Sequence, residues 1–470
     1  MNNRLVQGAS ALAALLFAAV ATAQTSQGTD TWRLSWLTEA SFSFREGYDN
    51  NVFISGVDSH YYPGSYVGPI PGSVWAEKNH GSFFQVYTPK IAMDLAKLQD
   101  NKDGVLKTFA LSYAPDFYQY NDAPSENNIA HKIGSTVVAQ CHDITFQLDE
   151  AFTYVDGEKL GPTYPGKYYD PIGHAITRDR REQWQDRTTA TLTYDQPDWF
   201  VRPTGSLLDY NMKTDQKSVP TANATYMNYV DRMDANVGAD FGYKVATNFA
   251  LTVGYRVGHQ HQQKLPSSVD AYGQTSDNDY QRILFGFEGT PLTWLKVKVQ
   301  AGPDFRDYNP KTPVRDRTPV TYYGEGSLTA AATKNDTITL GYKHWRWLSS
   351  TAKVSDDESN YELNYKHQFN SQWSSKLGFR AQQADYSCSE DWSGATPPVN
   401  PGTNYKNQWD YTFSAGVQYD ITKSLSLDLT YAAILGRNLQ DRSDLASSQL
   451  PSLKRQFDDQ TVTMGAKYKF

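Results

Sequence analysis

Residues 409–420 read Trp-Asp-Tyr-Thr-Phe-Ser-Ala-Gly-Val-Gln-Tyr-Asp, and every second side chain in this stretch is apolar or aromatic. The side chains between them are polar or glycine. A period of two is that of a β-strand, whose successive side chains point to opposite faces. The stretch is roughly twice as long as a strand of a globular protein. It therefore predicts a strand long enough to cross a bilayer.

The same alternation recurs along the chain, for example in residues 249–258, 295–301, 361–366 and 425–435. The apolar rows often begin or end in an aromatic residue beside a short turn, as in the girdles that border the lipid-facing band of a membrane barrel. Such residues are Tyr194, Trp199, Tyr243, Phe249, Phe287, Phe369, Trp373 and Tyr419. We therefore expect the apolar rows to face lipid and the polar rows to face water.

The links between the predicted strands alternate in length, which is a second test of the fold. Short links are expected near 99–104, 140–143, 195–198, 244–248, 289–293, 333–336, 368–372 and 420–424. Longer, polar links rich in Gly and Pro are expected near 47–80, 118–130, 156–183, 212–227, 261–279, 307–320, 350–359, 385–406 and 436–454. Short turns on one rim and long loops on the other are typical of outer-membrane barrels.

The pattern predicts an all-β protein: a closed antiparallel transmembrane β-barrel of about 18 strands, with short periplasmic turns and long extracellular loops. Sixteen strands are the alternative if the weaker segments 131–140 and 144–156 are misread. Closure follows from the solvent, because hydrocarbon offers no hydrogen bonds to an unpaired backbone edge. The barrel is expected to be a single domain over residues 24–470.

Residues 1–23 have the features of a secretory signal peptide. Arg4 precedes an apolar run from about Ala9 to Val20, and Ala21-Thr22-Ala23 forms a cleavage site of small residues. The mature chain is therefore expected to leave the bacterial cytoplasm and to reside in the outer membrane. Cys141 and Cys388 fall on opposite sides of the membrane in the predicted topology, so we expect no disulfide between them.

Composition and motifs exclude several classes of function. The formal net charge of −7 gives no basic face for nucleic acid. The two cysteines are too few for a multi-cysteine metal site. A metal site at His259 and His261 lacks an evident third ligand, so no metal is expected. No common catalytic motif is present, and we expect neither an enzyme nor a bound cofactor.

An eighteen-stranded barrel is too wide for side chains to fill, so an aqueous lumen is expected. The polar rows carry charges of both signs, and rings of charge set the selectivity of pores. These charges either form a field that orients polar solutes or largely neutralise one another. The charged residues predicted to face the lumen are Arg187, Arg256, Lys296, Lys298, Arg306, Glu325, Glu362, Lys366, Lys376, Arg380, Asp410 and Asp428.

Two segments resemble known barrel sequences. The C-terminal strand, with Val462, Met464, Ala466, Tyr468 and the terminal Phe470, resembles the assembly signal of bacterial outer-membrane barrels. That resemblance implies insertion by the barrel-assembly machinery. Residues 44–53 resemble the G-Y-D-x-N-V motif of the putative β-barrel porin 2 family, some members of which accompany exopolysaccharide export genes.

Three functions remain open from the sequence. The first is a porin-like channel for passive passage of small polar solutes, and the second is an exit pore for an exopolysaccharide. The third is a structural or adhesive barrel that acts through its loops. We expect the loops to pack on their neighbours at the surface, with an inward fold that narrows the pore as the alternative. Outer-membrane lipid is the expected surrounding, and the sequence does not fix the solute or the oligomeric state.

Overall fold

The computed structural model describes residues 34–54, 74–75, 80–98, 104–159, 162–163, 179–214, 229–264, 275–309, 317–350, 354–388, 404–438 and 456–470. The expected signal peptide, residues 1–23, lies outside the described residues. Within them, one antiparallel β-sheet closes on itself to form a barrel. None of the helices among these residues is long and apolar enough to cross a membrane.

The barrel has 18 strands. They are β1 (Leu37–Asp49), β2 (Ser82–Asp94), β3 (Leu106–Tyr113, continued by Asp116–Tyr120), β4 (Asn128–Cys141), β5 (Ile144–Asp156), β6 (Gln183–Asp195), β7 (Trp199–Met212), β8 (Arg232–Ala246), β9 (Phe249–Gln262), β10 (Asn278–Leu292), β11 (Leu295–Tyr308), β12 (Val320–Ala331), β13 (Asp336–Leu348), β14 (Val354–Gln368), β15 (Trp373–Cys388), β16 (Asn404–Asp420), β17 (Leu425–Asn438) and β18 (Phe457–Lys469). The links contain two 3-10 turns, Leu95–Leu98 and Pro124–Glu126, and a parallel pair of short segments, Val74–Trp75 and Pro162–Thr163.

The two segments of β3 occupy one position in the barrel, because both pair with β2 on one side and with β4 on the other. Pro115 separates them, since its nitrogen has no hydrogen to donate to the ladder. The weaker segments of the sequence, 131–140 and 144–156, lie within β4 and β5. The barrel therefore has 18 strands rather than 16.

β18 closes the barrel by pairing with β17 on one side and β1 on the other. In the closing pair, Ser41 lies opposite Lys469 and Asp49 lies opposite Thr461. No edge strand remains in the part of the barrel that the structure describes, so its backbone groups are paired as hydrocarbon requires.

The short links lie on one rim, and the strand ends that the long links join lie on the other, as the sequence predicts. His142 and Asp143 alone join β4 to β5, and residues 421–424 join β16 to β17. β1 begins and β18 ends on this short-turn rim. The predicted loop over 350–359 is wrong in extent, because β14 begins at Val354. Its acidic residues 356–358 continue the pairing with β13, which extends the hairpin despite the absence of apolar alternation.

The two faces of the wall differ as the alternation predicts. In β9 the large apolar side chains Leu251, Val253, Tyr255 and Val257 are exposed on the outside. Arg256 lies between them on the other face and donates to Asp240 of β8 at 2.7 Å. Contacts across non-neighbouring strands show which face is inside: Arg202 of β7 binds both carboxylate oxygens of Glu288 of β10, at 2.9 and 2.8 Å.

Aromatic rings collect on the outer face at the short-turn rim. Trp199 packs on Tyr194 and Phe241, with ring centroids 5.7 and 6.3 Å away, and Trp373 stacks on Tyr419 at 4.5 Å. Rings of this type prefer the boundary between hydrocarbon and water. With an apolar outer face above this girdle, the closed barrel resides in the bacterial outer membrane.

The assigned faces predict opposite effects for two adjacent residues of β17. Leu429 is 54% exposed on the outer face, so Leu429→Arg should lower the free energy of unfolding by roughly 2–4 kcal/mol because it buries a charge in lipid. Asp428 faces the interior, and Asp428→Arg should leave assembly intact. Urea unfolding in lipid vesicles measures both variants, and equal losses would show that the faces are assigned wrongly.

Candidate functional site

The charged residues predicted for the lumen all occupy inner-face positions of their strands. Each alternates with outward residues such as Leu192 in β6, Leu363 in β14 and Phe413 in β16. They fall into two groups that differ in burial. Arg256 and Arg306 are buried among other inner side chains, whereas the lysines and most of the other charges are exposed or half-exposed to the interior.

The short-turn end of the lumen is open and polar. A cavity of about 760 Å³ lies there against the inner faces of β15–β18 and β1. Its charged lining residues are Arg45, Lys376, Asp420, Lys423, Asp428, Lys467 and Lys469, accompanied by several Ser, Thr and Gln side chains. We call this space the vestibule. A polar space of this size holds water and small solutes.

The long-loop end of the lumen is narrowed by the end of the β13–β14 hairpin. Backbone carbonyls of residues 346–350 accept hydrogen bonds from strands β8, β9 and β11 and from the residues that precede β8. The bonds are Gln260 Nε2 to Arg346 O (3.1 Å), Arg306 Nη2 to Arg346 O (3.3 Å), Arg232 Nη1 to Leu348 O (2.8 Å), Gln262 Nε2 to Ser349 O (2.9 Å) and Val230 N to Ser350 O (2.9 Å). Because β8 and β13 are five strands apart, the hairpin crosses part of the lumen. We call this contact the hairpin dock.

A buried charge cluster supports the hairpin dock. Asp304 accepts from Arg282 Nε at 3.1 Å and from Arg306 Nη2 at 2.7 Å, and the side chains of Asp304 and Arg306 are fully buried. The guanidinium of Arg282 lies between the rings of Tyr280 and Tyr323, 4.0 and 4.4 Å from their centroids. The two guanidinium groups and the carboxylate depend on each other, because an unpaired charge in a buried position is strongly destabilising.

A second narrowing is made by Asn51–Ile54, the part of the first long loop that follows β1. Val52 and Phe53 pack against Phe84, Val86 and other apolar side chains of the inner wall. Ile54 packs against Ile434 and Phe457 on the neighbouring wall. Loops were expected to pack at the surface, and for this segment that expectation is wrong. The reason is the apolar patch on the inner wall, which would otherwise face water.

Charged groups hold this inward segment in place. Arg180 Nη1 donates to the carbonyl oxygen of Val52 at 2.7 Å and lies 3.6 Å from a carboxylate oxygen of Glu126, and Arg180 Nη2 lies 3.6 Å from one of Asp49. Arg181 also binds Glu126, with both side chains fully buried. Burial disfavours the charged form of Arg180, but the ring of Tyr120 and the two carboxylates outweigh this and raise the pKa of the guanidinium above its ordinary value.

Sequence reasoning missed several residues of these two narrowings. Arg232 and Arg282 sit at inner-face positions of their strands, so the alternation alone could have identified them. Arg180 and Arg181 lie in a link, where no periodicity exists. Nothing in the local sequence of residues 346–350 indicates that their carbonyls bind a distant wall.

His259 and His261 face outward near the long-loop rim. Their Nδ1 atoms lie 2.7 Å from a carboxylate oxygen of Asp279 and 3.4 Å from one of Asp277, respectively. Within the described ranges, no group of three or more His, Cys, Asp or Glu side chains is placed to hold a metal ion. Cys141 is exposed and free at the short-turn rim, whereas Cys388 ends β15 at the opposite rim.

No protein-family model matches the chain, and no curated protein matches it either. Among solved structures, it is similar to the outer membrane protein OpdK from Pseudomonas aeruginosa, at 10% identity and a TM-score of 0.40 over 92% of this chain and 99% of the other. OccAB3 of Acinetobacter baumannii matches at 12% identity and 0.40 over 92% and 99%. The FrpB iron transporter of Neisseria meningitidis matches at 10% and 0.40 over 92% and 81%. Similarities this low carry no argument about what this chain does.

Arg306→Met should loosen the hairpin dock. The substitution removes the hydrogen bond to the Arg346 carbonyl and one of the two cations that bind Asp304. The free energy of unfolding should therefore fall by about 3 kcal/mol. Hydrogen exchange at residues 346–350 should accelerate. Arg45→Met is the matched control, because Arg45 lies in the vestibule with half its side chain exposed. Unchanged exchange in Arg306→Met would contradict the role of Arg306 in the dock.

Gly47→Ala should disturb the inward segment. A methyl group on Gly47 would lie 2.6 Å from Phe84 Cζ and 2.8 Å from the carbonyl oxygen of Val462, so the ring that supports Val52 and Phe53 must move. We expect the free energy of unfolding to fall by about 1–3 kcal/mol and hydrogen exchange at residues 51–54 to become faster. Gly205→Ala is the control, since its nearest neighbour would be 3.5 Å away. Equal behaviour of the two variants would count against this packing.

Proposed function

We propose that the protein is a passive outer-membrane channel for small polar solutes. The observation that carries the proposal is the contrast between the two faces of the wall. The outer face is apolar, whereas the inner face is polar, charged and open to a vestibule of about 760 Å³. A polar lumen inside a closed barrel is a path for water and for solutes that fit it.

The narrowings at the long-loop end favour small solutes over a polymer. The hairpin dock and the inward segment Asn51–Ile54 both occupy lumen space near that rim. An extended polysaccharide would need these elements to stay clear of its path along the whole barrel. No feature of the described lumen favours the exopolysaccharide alternative, and the third possibility, a barrel that acts only through its loops, does not explain the charged lumen wall.

Export and assembly belong to the same proposal. Residues 1–23 would direct the chain out of the cytoplasm as a cleaved signal peptide. The outward row Val462, Met464, Ala466, Tyr468 and Phe470 would present the final strand to the barrel-assembly machinery. Val462 and Met464 are exposed on the outer face of β18, the strand that closes the barrel. A row of this kind is therefore accessible at the seam.

Planar-bilayer recording tests the channel directly. The purified barrel should give stepwise open-channel currents, because ions follow the same polar lumen as solutes. Vesicles that contain the protein should swell in small sugars and amino acids and should not swell in long oligosaccharides. Absence of current from folded protein would overturn the channel. Rapid permeation of long oligosaccharides would favour the polymer instead.

A further inference from the structure

The inner wall that lines the vestibule carries more positive than negative charge. Arg45, Lys376, Lys423, Lys467 and Lys469 line the vestibule, whereas Asp420 and Asp428 are the carboxylates among the residues that line it. Arg45 lies 3.8 Å from Asp428, and Lys467 shares Glu39 with Lys90, at 2.8 and 2.6 Å. Two of these cations are thus partly neutralised, and the others are not.

Lys376 of this wall forms an unusual pair with Lys366, which lies on the neighbouring strand and outside the vestibule lining. They lie directly opposite each other in the β14–β15 ladder, on the inner face, and both are exposed to the lumen. Like charges directly opposite in a sheet repel each other. Among the described residues, no carboxylate forms an ion pair with Lys366, Lys376 or Lys469. The nearest inner carboxylate along β14 is Glu362, which lies opposite Arg380 instead.

Neutral hydrogen-bond donors surround the vestibule as well. Ser374, Ser426 and Thr430 contribute hydroxyl groups to its lining, and Gln418 contributes an amide. Lysine ammonium groups and hydroxyls together bind the oxygens of phosphates and carboxylates. A negatively charged solute would relieve the repulsion between Lys366 and Lys376, and no carboxylate among the described residues does so.

We propose that the vestibule is an anion-binding site, formed by Arg45, Lys376, Lys467 and Lys469 of its lining and by Lys366, which lies opposite Lys376 on β14, and that this site makes the channel selective for small solutes that carry a phosphate or a carboxylate. This inference rests on the proposed channel function and names the class of solute. We call these five residues the cationic cluster. β14 and β15 are adjacent, and so are β18 and β1; β16 and β17 separate the two pairs, and four of the five residues line the same cavity.

Two measurements test the site independently of each other. The first is the reversal potential in a gradient of potassium chloride, which should show preference for chloride. The preference should weaken at high ionic strength, because salt screens the charges. The second is calorimetric titration of the detergent-solubilised barrel with inorganic phosphate and with succinate, which does not require an open pore. Binding of one titrant alone identifies which oxyanion the cluster prefers.

The double variant Lys366→Gln/Lys376→Gln should reduce the ratio of chloride to potassium permeability at least about twofold and should abolish measurable phosphate and succinate binding. The matched control is Lys296→Gln/Lys298→Gln, which removes the same charge from the inner face of β11, where Lys298 lies opposite Glu288. It should change the permeability ratio less and leave oxyanion binding intact.

Each outcome decides between the two proposals. Currents without anion preference, together with no oxyanion binding, would overturn the cationic cluster and keep the channel. Oxyanion binding without any current would keep the cluster and overturn the channel. Equal effects of the two double variants on permeability and binding would show that the total charge of the lumen acts, and would overturn the site.

Discussion

The fold depends on the pairing of backbone groups in hydrocarbon. Water is absent there, and an unpaired N–H or C=O on a strand edge would cost several kcal/mol. β18 meets this constraint because it pairs with β17 and β1 at once. Once the wall is closed, the outer side chains need only be apolar and the inner ones need only tolerate water. The protein therefore needs no conventional hydrophobic core.

The wall of the barrel could be predicted from the sequence because the alternation of apolar and polar residues that defines each strand is a local pattern. Alternation over residues 409–420 identifies β16, and short links such as 195–198 mark the rim where strands turn. The predicted strand boundary was wrong where the alternation is absent. Residues 354–359 contain three consecutive acidic side chains and lack alternation, yet they belong to β14, because strand pairing above the membrane needs hydrogen bonds and not an apolar face.

The interior could be predicted only in part. Alternation places Arg256 and Asp428 on the inner face, but it does not say which inner residues touch across the lumen. The hairpin dock joins strands five positions apart, and such contacts leave no periodic trace in the sequence. One signal was present for the inward segment: in residues 83–87 of β2, Phe84 and Val86 are apolar on the face where polar side chains are usual. Apolar side chains on a wall that faces water indicate that another segment of the chain packs over them.

The two ends of the lumen are built from different chemistry. Near the long loops, arginines are held by carboxylates, aromatic rings and carbonyls, and they fix the position of backbone segments. Around the vestibule, by contrast, the lysines Lys366, Lys376 and Lys469 are exposed to the lumen. Planar guanidinium groups suit fixed contacts, whereas mobile ammonium groups suit exchange with passing ions.

The hairpin dock accepts its hydrogen bonds through peptide carbonyls, which every amino acid provides. Side chains at positions 346, 348 and 349 could therefore change over evolutionary time without loss of these bonds, whereas the donors Arg232, Gln260 and Gln262 could not. In diverging descendants of this gene, the shape of this end of the lumen would then be inherited through the donors on the wall and not through the side chains of the hairpin.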